Sequence, residues 1–444
     1  MSLYLQGGDL AFAGGKRLTI AGPGANQLTI SGGNIGAHIR VSKGAALNIS
    51  GLSFKNSETV DHAFLSNEGT LMVTNSIISG NKTTATVTSY GGVIENLGTL
   101  TVINSTISNN SAYSLSFAQG GGIQNEGTLT VTSSTFSHNS ASSKQCGVGG
   151  GIANYNTGTL MVTSSTFSDN TASGEQGGQG GGIDNTGTLM VTSSTFSHNS
   201  ANSSGGGGFG GGIFNSSPGT LMVTDSTFSD NSASGKQYGI GGGIDNEGKL
   251  TVISSTFSGN SATGKQDSFG GGILYFGVKG SSAIIRFCTI YGNTSRAGGG
   301  IWVYPKGNSH ITISSSIIAA NSALNGPDIS GILTSGGYNL IEQVAGVTGL
   351  NTSTDRQVAL ADLKIDSTLG NNGGPTQGNN SEPTLTLKLF QGSPAIDAVP
   401  LQACSITVTD PSGHNVTITT DQRGNPRPDG SEQACDIGAY ESSY

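Results

Sequence analysis

The chain has 444 residues, of which 73 are glycine and only 10% are charged. A formal net charge of −8 disfavours nucleic acid and anionic membranes as partners. Low charge also argues against disorder, and the abundance of Gly, Ser, Thr, Val and Ile suits strands and tight turns rather than helices.

Residues 1–56 predict short strands. In RLTIAGPGANQLTISGGN, Leu18 and Ile20, then Leu28 and Ile30, alternate around a Gly-Pro-Gly turn, the period of half-buried strands. The opening MSLYLQGGDLAFAGGKRLTI lacks a basic region followed by an apolar core, so it does not read as a signal peptide. The expectation is that export does not use that route or that the native N-terminus lies further upstream. No apolar run reaches the roughly 18 residues needed to cross a bilayer.

From Leu71 to Asn321 one unit returns, in clean form from Gly120 to Ala141 as GGGIQNEGTLTVTSSTFSHNSA. Its leucine recurs at Leu71, Leu100, Leu129, Leu160, Leu189, Leu221 and Leu250, with separations of 29, 29, 31, 29, 32 and 29. A period that steady marks a repeat architecture. Each unit predicts three short strands, at Gly-Gly-Gly-Ile, at Leu-x-Val and around Phe. None can make a core alone. The expected fold is therefore all-β: a single-stranded right-handed parallel β-helix with coils about 4.8 Å apart and a C-terminal cap. Stacking would turn Phe136, Phe167, Phe196, Phe228 and Phe257 into an internal aromatic column beside Leu and Val columns. Asn139, Asn170, Asn199, Asn231 and Asn260 would form an amide ladder. The segments between Asn-Ser-Ala and the next Gly-Gly-Gly-Ile, such as ASSKQCGV and ASGEQGGQ, are expected to project as loops along one edge.

After Asn260 the pattern drifts, and FGVKGSSAIIRFCTIYGN and IWVYPKGN predict longer strands. The β-helix is placed at 1–345, most regular over 69–321. Residues 346–444, punctuated by prolines, are assigned as a cap or anchor-type region that covers the exposed strand edge.

The motifs LTIAGPGANQLTISGGN, GGYNLI, NNGGPT, GSPAIDA, TDQRGNPRP and CDIGAYE resemble those of bacterial β-helix proteins of the choice-of-anchor Q group. The GGGI and FSxN repeats are also similar to those of polymorphic outer-membrane proteins and autotransporter adhesins. The resemblance implies a pectin-lyase-like fold, a secreted or surface-attached location and a C-terminal sorting region.

Several columns offer chemistry. The residue between Ser and Asn in FSxN gives His138, Asp169, His198 and Asp230, a line of metal-ligand candidates for which a ladder of opposite charges is the structural alternative. The position after Gly-Gly-Gly-Ile gives Gln124, Ala153, Asp184, Phe214 and Asp245. Asp184 and Asp245, two coils and so about 9.6 Å apart, are candidate catalytic carboxylates at the outer edge of an inverting-glycosidase spacing. Polysaccharide hydrolases of this fold resemble one another in Asn-Thr-Asp, Asp-Asp and Gly-His-Gly, none of which occurs in this chain; Gly413-His414-Asn415 lies in the cap. Tyr275, Trp302 and Tyr304 are candidates for stacking on sugars. The cap residues Asp397, Asp421, Asp436, Glu441, Arg423 and Arg427 read as interlocked ion pairs, with calcium as the alternative cofactor.

Cys404 and Cys435 are a possible disulfide, which would imply an oxidising compartment. Cys146, placed in a loop, and Cys288, placed in a strand, are expected to be free. The threonine column at Thr132, Thr163, Thr192 and Thr224 gives a third reading, an ice- or surface-binding face. The function expected is that of a monomeric, non-catalytic, extracellular or surface-displayed adhesive or structural protein, whose partner is a polysaccharide or cell-surface glycan. A polysaccharide lyase or glycoside hydrolase on the same fold is the alternative.

Overall fold

The structure, a computed structural model, describes the chain except for residues 1, 5–7, 34–36, 87–91, 279–280, 305–309, 352, 375, 378–381, 431 and 444. Equivalent residues of successive repeats pair in parallel and in register, Leu100 on Leu129 on Leu160 and Phe136 on Phe167 on Phe196. The result is a parallel β-solenoid of about 11 turns. Pairing runs from Ser2–Tyr4 to Arg356–Gln357, so Val347–Thr348 and Arg356–Gln357, beyond residue 345, still pair with the coils.

A middle coil carries five strands rather than the expected three: Ile123–Asn125, Thr128–Thr132, Thr135–Ser137, Ser140–Ser143 and Cys146–Val148. The first three belong to sheets of 13, 12 and 14 strands among the described residues, and these enclose the core. Their inward positions hold the Ile, the Leu and Val, and the Phe of each repeat, all buried. The five phenylalanine rings lie 4.7 to 4.8 Å apart and within 7° of parallel. That separation is the interstrand distance itself, so the rings stack because the backbone does.

The other two strands of the coil are the segments expected to be loops. They form sheets of eight and six strands that fold back on each other as a thin flange beside the core. The reason is side-chain size. Ala141, Ala172, Ala201 and Ala233 are buried on one strand and meet Gly147, Gly178, Gly208 and Gly239 on the next, and in the coil before them Ala112 is followed by the equally small Ala118. A Cβ built on Gly147 would stand 2.2 Å from the Ala141 carbonyl oxygen, a distance no side chain can occupy.

Three corners per coil take a left-handed backbone, which glycine, asparagine and aspartate adopt most readily. One is the first glycine of Gly-Gly-Gly-Ile, as at Gly120 with φ 63°. Another is the first serine of Ser-Ser-Thr, as at Ser133 with φ 47°. The third is the variable residue of FSxN.

Polar side chains at the corners satisfy the backbone. The predicted ladder runs from Asn81 through Asn110, Asn139, Asn170, Asn199, Asn231, Asn260 and Asn293 to Asn321. Each Nδ2 donates to the Oδ1 of the next coil, and Asn321 ends the line on the Asp328 carboxylate at 2.9 Å. A second ladder joins Asn67, Asn96, Asn125, Asn154, Asn185, Asn215 and Asn246 by contacts of 2.6 to 2.7 Å. A third is built from serine hydroxyls, Ser134 Oγ accepting from Ser105 N and Ser165 Oγ from Ser134 N.

The strands after Asn260 are no longer than those before, with Ser282–Arg286 five residues and Ile301–Val303 three. The remainder of IWVYPKGN from 305 lies outside the described residues. Cys146 sits in a strand and Cys288 between two strands, the reverse of expectation; both are free and buried.

The C-terminal region lies along the flank of the solenoid instead of plugging its end. Leu363, Leu387, Leu389, Val399 and Ile437 form a second core with Phe287, Tyr291 and Ile317 of the coils. The Gln422 side chain joins two rungs, accepting from Thr256 Oγ1 at 2.6 Å and donating to Thr227 Oγ1 at 2.8 Å. Gly438 N and Ala439 N donate to Ser315 O and Thr289 Oγ1. A hairpin of Ile406–Thr409 and Asn415–Ile418 packs on Met222 and Ile253. The end of the core is met instead by Val344, Val347 and Leu350.

Candidate functional site

His138, Asp169, His198 and Asp230 all occupy the left-handed corner, at φ 55° to 56°, together with Asn109, Gly80 and Gly259. The residue types of this column are those the corner favours. The side chains point to solvent and pair at long range, His138 Nε2 to Asp169 Oδ2 and His198 Nε2 to Asp230 Oδ2, both at 3.9 Å. Among the described residues no group of three or more His, Cys, Asp or Glu is placed to hold a metal ion.

Asp184 and Asp245 sit on the outer face of the isoleucine sheet with Phe214 between them in register. They are nevertheless 2% exposed. Burial pushes the Asp184 carboxyl up to about 8 and holds Asp245 well above the usual carboxylate range, with the charge of Glu247 adding to both. Asp245 Oδ1 has no hydrogen-bond partner.

The flange ends with Ser261–Gly264 and Asp267–Phe269, and the next coil keeps only single bridges at Thr294 and Ala297. This step leaves a cleft of about 230 Å³. Phe209, Ile240 and Phe269 line it from the flange; Asp245, Leu274 and Trp302 from the isoleucine sheet; Glu247, Phe276 and Tyr304 from the turns below. Trp302 rests against Phe269 at 4.6 Å between ring centroids, and Tyr304 against Phe276 at 4.1 Å, the pairs tilted by 38° and 36°.

Of the three aromatic candidates, Trp302 and Tyr304 therefore share the cleft with Asp245. Tyr275 does not: it replaces the asparagine of the second ladder, points into the core and bonds Ser281 Oγ at 3.1 Å. Glu247, Phe269 and Phe276 were not singled out by the sequence. Asp184 lies two coils away, outside the cleft lining.

The C-terminal charges interlock. Arg427 reaches Glu441 Oε2 at 2.7 Å and the Gly438 carbonyl at 2.6 Å; Asp421 pairs with Arg423 at 2.7 Å and accepts the backbone N–H of Asn425 and Glu441. Arg423 stacks 3.7 Å over the Tyr440 ring. Asp436 accepts from Asp397 N and Ser442 N, leaving Asp397 itself at the edge of the network. Cys404 and Cys435 are disulfide-bonded. Thr224 is buried while Thr132, Thr163 and Thr192 are half-buried, so the threonine column does not form one uniform face.

Fold and cleft together define an all-β parallel solenoid with a lateral flange and an aromatic, acid-lined recess at the point where the flange stops. Comparison with protein-family models, curated proteins and solved structures gives no match to the chain. Among the described residues no helix is long and apolar enough to cross a membrane.

Proposed function

We propose that the chain is a non-catalytic β-helix of the choice-of-anchor Q, pectin-lyase-like kind, secreted or displayed at a cell surface, where it acts as an adhesive or structural rod. Its ligand is a polysaccharide or cell-surface glycan. The observation that carries this reading is the cleft around Trp302 and Tyr304, a concave aromatic surface on a body whose recurring residues are otherwise consumed by stacking. The Cys404–Cys435 disulfide favours an oxidising, extracellular compartment. Binding to a glycan array, lost on Trp302→Ala while the unfolding midpoint is kept, is the expected result. No binding by the intact chain to any glycan overturns the reading.

A catalytic alternative draws on Asp245, whose carboxyl burial raises well above the usual carboxylate range, the direction a general acid requires, and which lines the cleft with Glu247. Reducing-sugar release from acidic polysaccharides that disappears with Asp245→Asn would establish it in place of the non-enzymatic reading.

A further inference from the structure

The lining of the cleft is unusual in composition. Its polar side-chain groups are two carboxyls, Asp245 and Glu247, the Tyr304 hydroxyl and the Trp302 indole N–H; among the described residues lining it none is basic. Around them stand Phe269, Phe276 and Trp302, with rings inclined to one another by 36° to 57° across the Phe276, Tyr304, Trp302 and Phe269 series. Rings inclined in this way wall a compact recess rather than form one flat platform. A flat sugar ring is served better by coplanar platforms. Aromatic faces carry negative charge density, so a cage of them favours a cation. A volume of about 230 Å³ lies below the roughly 300 to 1,000 Å³ of sites for drug-sized ligands, which suits a single headgroup.

Asp245 supplies the second observation. Its side chain is almost fully buried, lines the cleft and leaves Oδ1 without a partner. A buried polar atom without a partner is costly, and a positive charge held in the recess offsets that cost electrostatically.

We infer that this cleft binds a compact organic ammonium group, of the trimethylammonium or alkylammonium class, held by cation–π contact with Trp302, Tyr304, Phe269 and Phe276 and by the charges of Asp245 and Glu247. The inference rests on the reading of the cleft as the ligand-holding part of the rod, and it names the chemical group on the glycan or other surface molecule that is gripped. Burial raises both carboxyls because they lack a countercharge, and the cation provides one. Glu247 and the Tyr304 hydroxyl are the titratable groups lining the cleft with Asp245. Cation binding is thus linked to proton loss from these raised carboxyls, and affinity rises as pH rises.

Trp302 is the only tryptophan in the chain, so its fluorescence reports this site alone. The test titrates the full chain with choline, with 3,3-dimethyl-1-butanol as the uncharged isostere of choline, and with N-acetylglucosamine as a neutral sugar. A saturable response to choline, at least tenfold tighter than to the isostere and weakened at least fivefold by Glu247→Gln or Asp245→Asn, is expected. Equal response to choline and its isostere overturns the inference, because the cleft is then merely apolar. A response to the sugar but not to choline also overturns it, while leaving the glycan reading intact. Silence toward all three removes both the inference and the assignment of the cleft as the ligand site. Thermal midpoints of the two variants within a degree or two of the parent assign any lost response to the site and not to unfolding.

Discussion

Asn199 accepts through Oδ1 from the Asn170 side chain and backbone, and donates through Nδ2 to Asn231 and to the Phe167 carbonyl. Asn199→Ala strands several buried polar groups at once, and a loss of about 3 kcal/mol or more is expected from denaturant unfolding. One residue earlier, the governing term is backbone shape. His198 holds a left-handed corner, so His198→Gly should leave stability nearly unchanged, whereas His198→Val should cost about 1–2 kcal/mol. Equal losses for the two would mean that the exposed His198–Asp230 pair, and not the corner, sets the residue. Asp184 gives a prediction in pH. Its folded-state pKa is raised, so its contribution is fully present below about pH 4 and is lost as pH rises toward 8, by up to about 1.4 kcal/mol per unit. Asp184→Asn should flatten the decline in unfolding free energy between pH 5 and pH 8. Parallel profiles for variant and parent would contradict the burial account.

At the level of the strand, glycine decides where the flange can close. Gly178→Ala places a Cβ 2.4 Å from the Ala172 carbonyl and 2.5 Å from Asn202 N, whereas at Gly177 the nearest atom is Cys146 Sγ at 3.1 Å. Hydrogen exchange should show Gly178→Ala loosening flange amides around Thr171–Gly174 and Ser200–Ser203, at a cost of about 1–3 kcal/mol, with Gly177→Ala milder. If body and flange loosen together, the flange is not a separate packing layer. The same chemistry explains what could be read beforehand. Leu129, Val131 and Phe136 announce a core because large apolar residues recur at strand spacing. Ala141 and Gly147 build an equally regular layer from residues that carry no apolar pattern, next to polar Lys144 and Gln145, so two strands per coil passed for loops. The second amide ladder left a signal, Asn125, Asn154 and Asn185 at one place in the unit, but a turn explains the same letters. Trp302 and Tyr304 stood out as aromatics in a chain poor in them. Their partners did not: Phe269 and Glu247 reach the cleft from other coils, and Tyr275 lies at an inward register that only pairing with Asn246 reveals.

For the molecule as a whole, the C-terminal region behaves as a strap along the flank, joined to rungs from Thr227 to Ser315 by Gln422, Gly438 and Ala439. Reducing Cys404–Cys435 opens a loop of 31 residues and should weaken that strap by about 3–4 kcal/mol. Limited proteolysis is expected to cut within 401–435 after reduction while the far-ultraviolet signal of the coils persists; simultaneous loss of both would make strap and coils one cooperative unit. The first amide ladder has a further consequence. Every Nδ2 points the same way along the axis, and the line ends on Asp328, a carboxylate that only accepts; burial raises it only to about 6, so it is ionised at neutral pH. A complete coil contributes one donor and one acceptor to this line, one ring to the phenylalanine column and one residue to each left-handed corner. Copying a coil in tandem therefore leaves no new polar atom unpaired and no void, whereas copying part of one breaks every column at once. Length is a free variable of this architecture in whole units of one turn, about 4.8 Å each, and gene duplication can adjust the reach of the rod without redesigning either end.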